Sequence, residues 1–234
     1  MKPVLRASLW LSAVLLCSIA SADGLSLKRI PKTGDAFKYT MKVDFEANGV
    51  HGTIQATLLE QLTEVDIDGN YTVQQTQIEA TGTYDGENFD VPARPPISMT
   101  YKPNRQVSGI KGTLVDENAY RVENLATILD PGKLVNVGDI WAADIKADKV
   151  LGTKSVRLEY KLVSEEKVGG VDTIKIKGTG KEQESDNSPR NEFTIWLSKT
   201  DGSIVQSESK WTNAPFPGIT SPVSATIKIT RVAA

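Results

Sequence analysis

Apolar and polar side chains alternate with period two through most of this chain. Phe37, Tyr39, Met41, Val43 and Phe45 alternate with Lys38, Thr40, Lys42, Asp44 and Glu46. That is the signature of a strand with one packed and one solvated face. Ile54, Ala56, Leu58 and Leu62 continue the phase in the next segment, and Tyr71, Val73 and Gln75 begin a third after the Asp68-Gly69 turn, a strong hairpin signal. The second half repeats this logic. Val156, Leu158, Tyr160 and Leu162 alternate with charged neighbours, as do Ile174 and Ile176. Phe193, Ile195 and Leu197 form another face, and Asp201-Gly202 turns into a strand from Ile204 to Trp211. Val223, Ala225, Ile227 and Ile229 form the last, with Arg231 ending its apolar phase. Strands with one wet face belong to antiparallel sheets.

One segment breaks the alternation. Val122, Leu125, Ala126 and Leu129 fall at i, i+3, i+4 and i+7 after a candidate N-cap at Asn118, and Asp130-Pro131-Gly132 stops the run. This spacing predicts a helix over about 119–129. Two proline-punctuated stretches, 91–103 and 214–222, read as loops or edge segments, and 182–190 reads as a polar, mobile loop.

The halves on either side of the helix resemble each other. Gly34-Asp35-Ala36-Phe37 recurs as Gly138-Asp139-Ile140-Trp141, and each is followed by two strand patterns and a turn, Asp66 to Asn70 in one copy and Lys167 to Gly170 in the other. Ser98 to Lys102 aligns loosely with Thr194 to Ser198. We read 23–234 as a single β domain of two pseudo-repeats, about 30–115 and 134–233, joined by the helix.

Composition then narrows the chemistry. Met1 to Ala22 has a positive start (Lys2, Arg6), an apolar middle and an Ala20-Ser21-Ala22 cleavage site, the pattern of a secretory signal peptide. The protein is therefore expected to be exported, to the periplasm or the medium. Leu16 is a poor fit for the position before a lipidated Cys17, which argues against an anchor there. Cleavage leaves about 210 residues, enough to bury roughly 70% of the unfolded surface without staples. It also removes the one cysteine. The whole chain has 27 Lys and Arg against 29 Asp and Glu, interspersed, with no basic stripe; nucleic acid is not expected as a partner. No second stretch approaches the ~20 apolar residues of a membrane span.

The remaining side chains offer little for catalysis. His51 is the sole histidine, with no Gly-x-Ser-x-Gly elbow beside it, so nucleophilic triads and zinc sites lack their parts. Asp66, Asp68 and Asn70 have the spacing of a calcium loop, but Tyr71 and Gln77 stand where its Gly and Glu are required; a hairpin turn accounts for them, as it does for Asp85-Gly86-Glu87-Asn88. Carboxylate pairs suited to glycoside hydrolysis cannot be picked out among acids that nearly all lie on polar phases or in turns. No cofactor, metal or catalytic residue is expected, and no enzymatic activity.

Aromatic residues carry the remaining signal. They can be core, since aromatics dominate burial in β domains, or they can line an apolar cavity. The candidate lining residues are Phe37, Tyr39, Tyr101, Leu125, Leu129, Trp141 and Trp196.

The residues Val137 to Trp141, Gly169-Gly170 and Ile195 to Gly202 form a local pattern that resembles bacterial exported proteins of the lipoprotein-carrier (LolA/LolB-like) half-barrel group. The likeness covers most of 134–232 and more weakly 30–101. It implies a curved antiparallel sheet, or open barrel, wrapping one helix over an apolar concavity, and no catalytic residues. Two functions fit this fold. One is a structural or protein-interaction module with a filled core, taken as the first reading. The other is a carrier for a lipid or other apolar small molecule held in the concavity.

Overall fold

The computed structural model describes residues 24–47, 49–112, 115–185, 187–217 and 223–232. The signal-peptide segment and Cys17 lie outside these residues. The described residues form twelve strands and one helix: β1 (Ala36–Ala47), β2 (Val50–Val65), β3 (Tyr71–Tyr84), β4 (Glu87–Asp90), β5 (Ile97–Tyr101), β6 (Val107–Lys111), α1 (Glu117–Ala126), β7 (Ile140–Ile145), β8 (Val156–Val168), β9 (Val171–Glu182), β10 (Arg190–Ser198), β11 (Ile204–Ala214) and β12 (Val223–Arg231). All strands belong to one curved, open antiparallel sheet. The order is β6-β5-β3-β2-β1-β12-β11-β10-β9-β8-β7, with β4 paired to β3. This is the half-barrel that the lipoprotein-carrier resemblance implied, with the single helix packed against the sheet.

That order dictates where the helix goes. Neighbouring strands are joined mostly by hairpins, and β1 pairs with β12 from Tyr39 opposite Arg231 to Glu46 opposite Ser224. The mid-chain segment therefore leaves the sheet at one edge, β6, and must re-enter at the opposite edge, β7. A link between the two edges of a curled sheet has to cross its concave face. The helix accordingly touches β6 on one side and β8, β9 and β10 on the other.

The helix differs from expectation at both ends. Its N-cap is Asp116, which accepts a hydrogen bond from the Ala119 N–H at 3.1 Å, rather than Asn118. It stops at Ala126, three residues short of Leu129, because Thr127 is extended (φ −70°, ψ 151°). A tertiary contact ends it: the Tyr160 hydroxyl donates to the Thr127 carbonyl and accepts from the Leu129 N–H, both at 3.0 Å. Asp130-Pro131-Gly132 lies beyond this stop. The 91–103 stretch is also more regular than expected. Its prolines at 92, 95, 96 and 103 flank Ile97–Tyr101, leaving β5 free to pair with both β3 and β6. Strands β4 and β6 carried too few alternations to be read from sequence.

The two Gly-Asp turns are built alike. Gly34 and Gly138 adopt φ of +92° and +99°, where a side chain would be strained. Each donates its N–H to a leucine carbonyl at 2.8 Å, Leu62 or Leu162, and that leucine's N–H returns to the carbonyl of the adjacent Asp35 or Asp139. Packing is less symmetric. The largest core cluster lies under the helix against β7–β10 and includes Leu125, Leu158, Leu162 and Ile176, all essentially unexposed. Around β1–β6 there are three small clusters instead. Among the described residues no helix is long and apolar enough to cross a membrane.

Candidate functional site

The uneven packing leaves a cavity of about 380 Å³ between the helix and the middle of the sheet. Val122, Glu123 and Ala126 of α1 form one wall, and Met41, Leu58 and Val73 of β1–β3 form part of the other. The cavity follows β11 from Ile204 to Trp211, a run of about 23 Å at ~3.3 Å per residue. Period two explains the lining: the concave phase of most strands is mainly apolar, while β11 presents the small Ser207 and Ser209, whose short side chains leave the space unfilled.

One end of the cavity is closed by the segment before β1. Leu25 pairs with Val135, Leu27 is buried, and the Ile30 N–H bonds to the Asp201 carbonyl in the β10–β11 turn. Two buried arginines tie this end together. Arg105, in the β5–β6 turn, donates Nε and Nη2 to the Leu27 carbonyl (3.1 and 2.7 Å) and Nη2 to the Gly202 carbonyl (2.9 Å). Arg29 donates Nη1 to the Asp201 carbonyl (2.9 Å) and lies 3.3 Å from its carboxylate. Its Nη2 is buried without a hydrogen-bond partner among the described residues, as are Nε and Nη2 of Arg231 at the end of β12. The two guanidinium groups lie 5.6 and 4.8 Å from the ring centroid of Phe37.

Acids and phenols complete the polar set. Tyr101 donates to Glu123 Oε2 at 3.1 Å and stacks on Tyr71 at 5.3 Å, and Tyr39 donates to the Ile204 carbonyl at 3.0 Å. Burial pushes the carboxyls of Glu60 and Glu123 above the ordinary range, against the pull of nearby arginines on Glu60 and of the Tyr101 hydroxyl on Glu123. Burial likewise raises the Tyr39 and Tyr101 hydroxyls and lowers Arg105. Deeper under the helix, Asn191 is fully buried; it donates to the Leu125 carbonyl at 3.4 Å while its Oδ1 has no partner among the described residues. The arrangement can hold an elongated apolar molecule with a few directed polar contacts, as ligand cavities commonly do.

Of the seven candidate lining residues, Tyr39 and Tyr101 line this cavity. Phe37 sits at its closed end beneath the two arginines. Leu125, Leu129 and Trp141 are core: Trp141 stacks on Tyr160 at 5.1 Å and donates to the Leu129 carbonyl at 3.3 Å. Trp196 lies on the opposite face, one residue out of phase with Ile195 and Leu197. Its indole binds Glu166, and Lys175 Nζ is 4.9 Å from its centroid. The alternation itself excludes Trp196 from the concave face. His51 is exposed at the start of β2. The calcium-like triplet is a turn in which Asp66 accepts from Asp68 and Asn70.

Sequence reading passed over Arg29, Glu60, Arg105, Glu123, Asn191 and Arg231. Two had a detectable signal. Glu60 shares the phase of Leu58 and Leu62, and Arg231 that of Ile229, so each is a charged residue at a position whose neighbours two residues away are packed.

No family model matches the chain, and no curated protein matches it. Solved structures do. Lipovitellin, studied for its lipid–protein interactions, aligns over 86% of this chain and 25% of its own, at 8% identity and a TM-score of 0.52. This chain thus spans a quarter of lipovitellin's length, and the likeness is one of fold. A protein from Bacteroides fragilis described as exported, with a YmcC-like fold, aligns over 89% of this chain and 100% of its own at 10% identity and a TM-score of 0.33. A domain from Vibrio parahaemolyticus described as outer membrane lipoprotein-sorting aligns over 88% and 86% at 11% identity and a TM-score of 0.25. Those two scores are too low to carry an argument.

Proposed function

We propose that this is an exported, non-enzymatic carrier that holds a lipid or other elongated apolar molecule between its helix and its sheet. The observation that carries this reading is the 380 Å³ cavity with its apolar walls and small β11 serines. A protein-interaction module was the first reading from sequence, and it rested on a filled concavity; unfilled space of ligand size favours the carrier. Lipovitellin, a protein described through its lipid interactions, shares the sheet architecture, which supports the reading at the level of fold. Export rests on the N-terminal sequence pattern.

The test is native mass spectrometry of protein purified from cells, paired with titration of an environment-sensitive fluorescent fatty acid. A co-purifying non-covalent mass of lipid size and saturable binding are expected. Ser207→Trp, which fills the cavity from a half-buried position, should abolish binding while the protein remains folded. A clean apo mass with no binding of the probe would sink the carrier reading, as would undiminished binding to Ser207→Trp.

A further inference from the structure

The closed end of the cavity is chemically unlike its walls. Arg29 and Arg105 line it, Arg231 lies beside it over the same Phe37 ring as Arg29, and the protein satisfies these guanidinium groups incompletely. Arg105 is bonded to backbone carbonyls alone among the described residues, so its charge has hydrogen-bond acceptors but no touching carboxylate. Arg29 is 6% exposed, lines the cavity and keeps Nη2 unpartnered. Arg231 keeps two buried N–H-bearing nitrogens unpartnered over the same Phe37 ring. A buried donor left without an acceptor is unfavourable, and more so when charged. Native proteins seldom leave several such groups in one place unless something else fills them.

We propose that this end of the cavity is an anion site, and that the ligand is an amphiphile whose carboxylate or phosphate head binds Arg29 Nη2 and Arg231 Nε and Nη2 while its chain runs along β11 toward Trp211. The inference rests on the carrier reading and adds the class of head group. Guanidinium suits it, because its planar fork matches two oxygens of either anion. The distance suits it as well. The ~23 Å run along β11 exceeds the reach of one leaflet's acyl chains, about half of a ~30 Å hydrocarbon core. Phe37 fixes both arginines from below, so they are held rather than recruited. Glu60 also lines this end and attracts both Arg29 and Arg231, yet Arg29 Nη2 and Arg231 Nε and Nη2 form no hydrogen bond with it.

Water could also satisfy the free N–H groups, and the experiment separates the two. Dodecanoic acid, dodecyl phosphate and dodecanol share a chain and differ in head, and their affinities are measured by calorimetry on the delipidated protein. At least one anion is expected to bind about tenfold or more tighter than the alcohol, the scale of a charge-assisted hydrogen bond. Whichever anion binds tighter identifies the head group. Arg231→Met should erase that preference, bringing both anions to the affinity the same variant has for dodecanol. Arg29→Met is the companion variant, but Arg29 also holds Asp201, so Arg231, whose Nε and Nη2 have no hydrogen-bond partner among the described residues, decides if Arg29→Met fails to fold. Equal affinity for all three ligands, or an anion preference that survives in Arg231→Met, would overturn the head-group inference and leave the carrier standing. Failure of all three to bind would remove the carrier reading and this inference with it.

Discussion

The seat of the helix can be tested at a single glycine. Gly180 lies in β9 directly beneath α1, and a Cβ added there would stand 2.4 Å from the Leu125 carbonyl oxygen and 3.1 Å from its carbon. Ordinary contact begins near 3.4 Å, so Gly180→Ala has to lift the helix by about 1 Å. A radial gap of 0.5–1 Å forfeits about a quarter to a half of each dispersion contact across it, and Leu125, with no exposed surface, would lose most. Overpacking of this kind costs about 1–3 kcal/mol. Against it stands the ordinary benefit of replacing a strand glycine, about 0.4–1 kcal/mol through the unfolded chain. The expected net loss is about 1–2 kcal/mol, or a melting temperature lower by roughly 3–6 °C for a protein of this size. Thermal melts followed by circular dichroism would measure it, with the exposed Lys177→Ala as a control expected to stay within about 1 °C. The sign makes the test sharp: Gly180→Ala melting at or above the wild-type temperature would refute the close approach of helix and sheet.

Two further outcomes concern the charges around the helix. Arg121 holds Glu182, which is 1% exposed, by two bonds of 2.8 Å, so Arg121→Ala should cost about 3–5 kcal/mol in urea unfolding. The double variant Arg121→Met, Glu182→Met should lose far less, and equal losses would show that no stranded charge was involved. For Glu123, the folded protein favours the protonated form, since burial raises its carboxyl above 4.5. Its stabilising contribution is then complete below pH 4.5 and is lost as pH rises through the folded value. Melting temperatures from pH 4.5 upward should therefore show Glu123→Gln gaining on wild type, and a gap that stays constant across that range would contradict the burial.

How far the fold could be read from the sequence follows from how local each cause is. Alternation in 37–46, 156–162 and 223–231 needs no knowledge of the partner strand, and each became a strand on the expected phase. Four-residue β4 and five-residue β6 are too short to display a period, so they appear only once β3 and β5 offer them edges. Leu129 fits the helical spacing of Val122 and Leu125, yet Tyr160, thirty-one residues downstream, binds the backbone where the helix stops.

The cavity was the least legible feature. Tyr39 and Tyr101 could be picked out as apolar-phase aromatics, but aromatic character does not distinguish a wall from a core, and Leu125, Leu129 and Trp141 went to the core. The sequence alone determined the antiparallel class, the phase of each long strand and the one helical segment, because these depend on side chains two to four residues apart. Only the tertiary structure decided that the chain leaves at β6 and returns at β7, drawing the helix across the concave face. It also brought Arg29, Arg105 and Arg231 to one end. Their meeting depends on strand order and on the path of the segment before β1, relations among residues 76 to 202 positions apart that no local pattern contains.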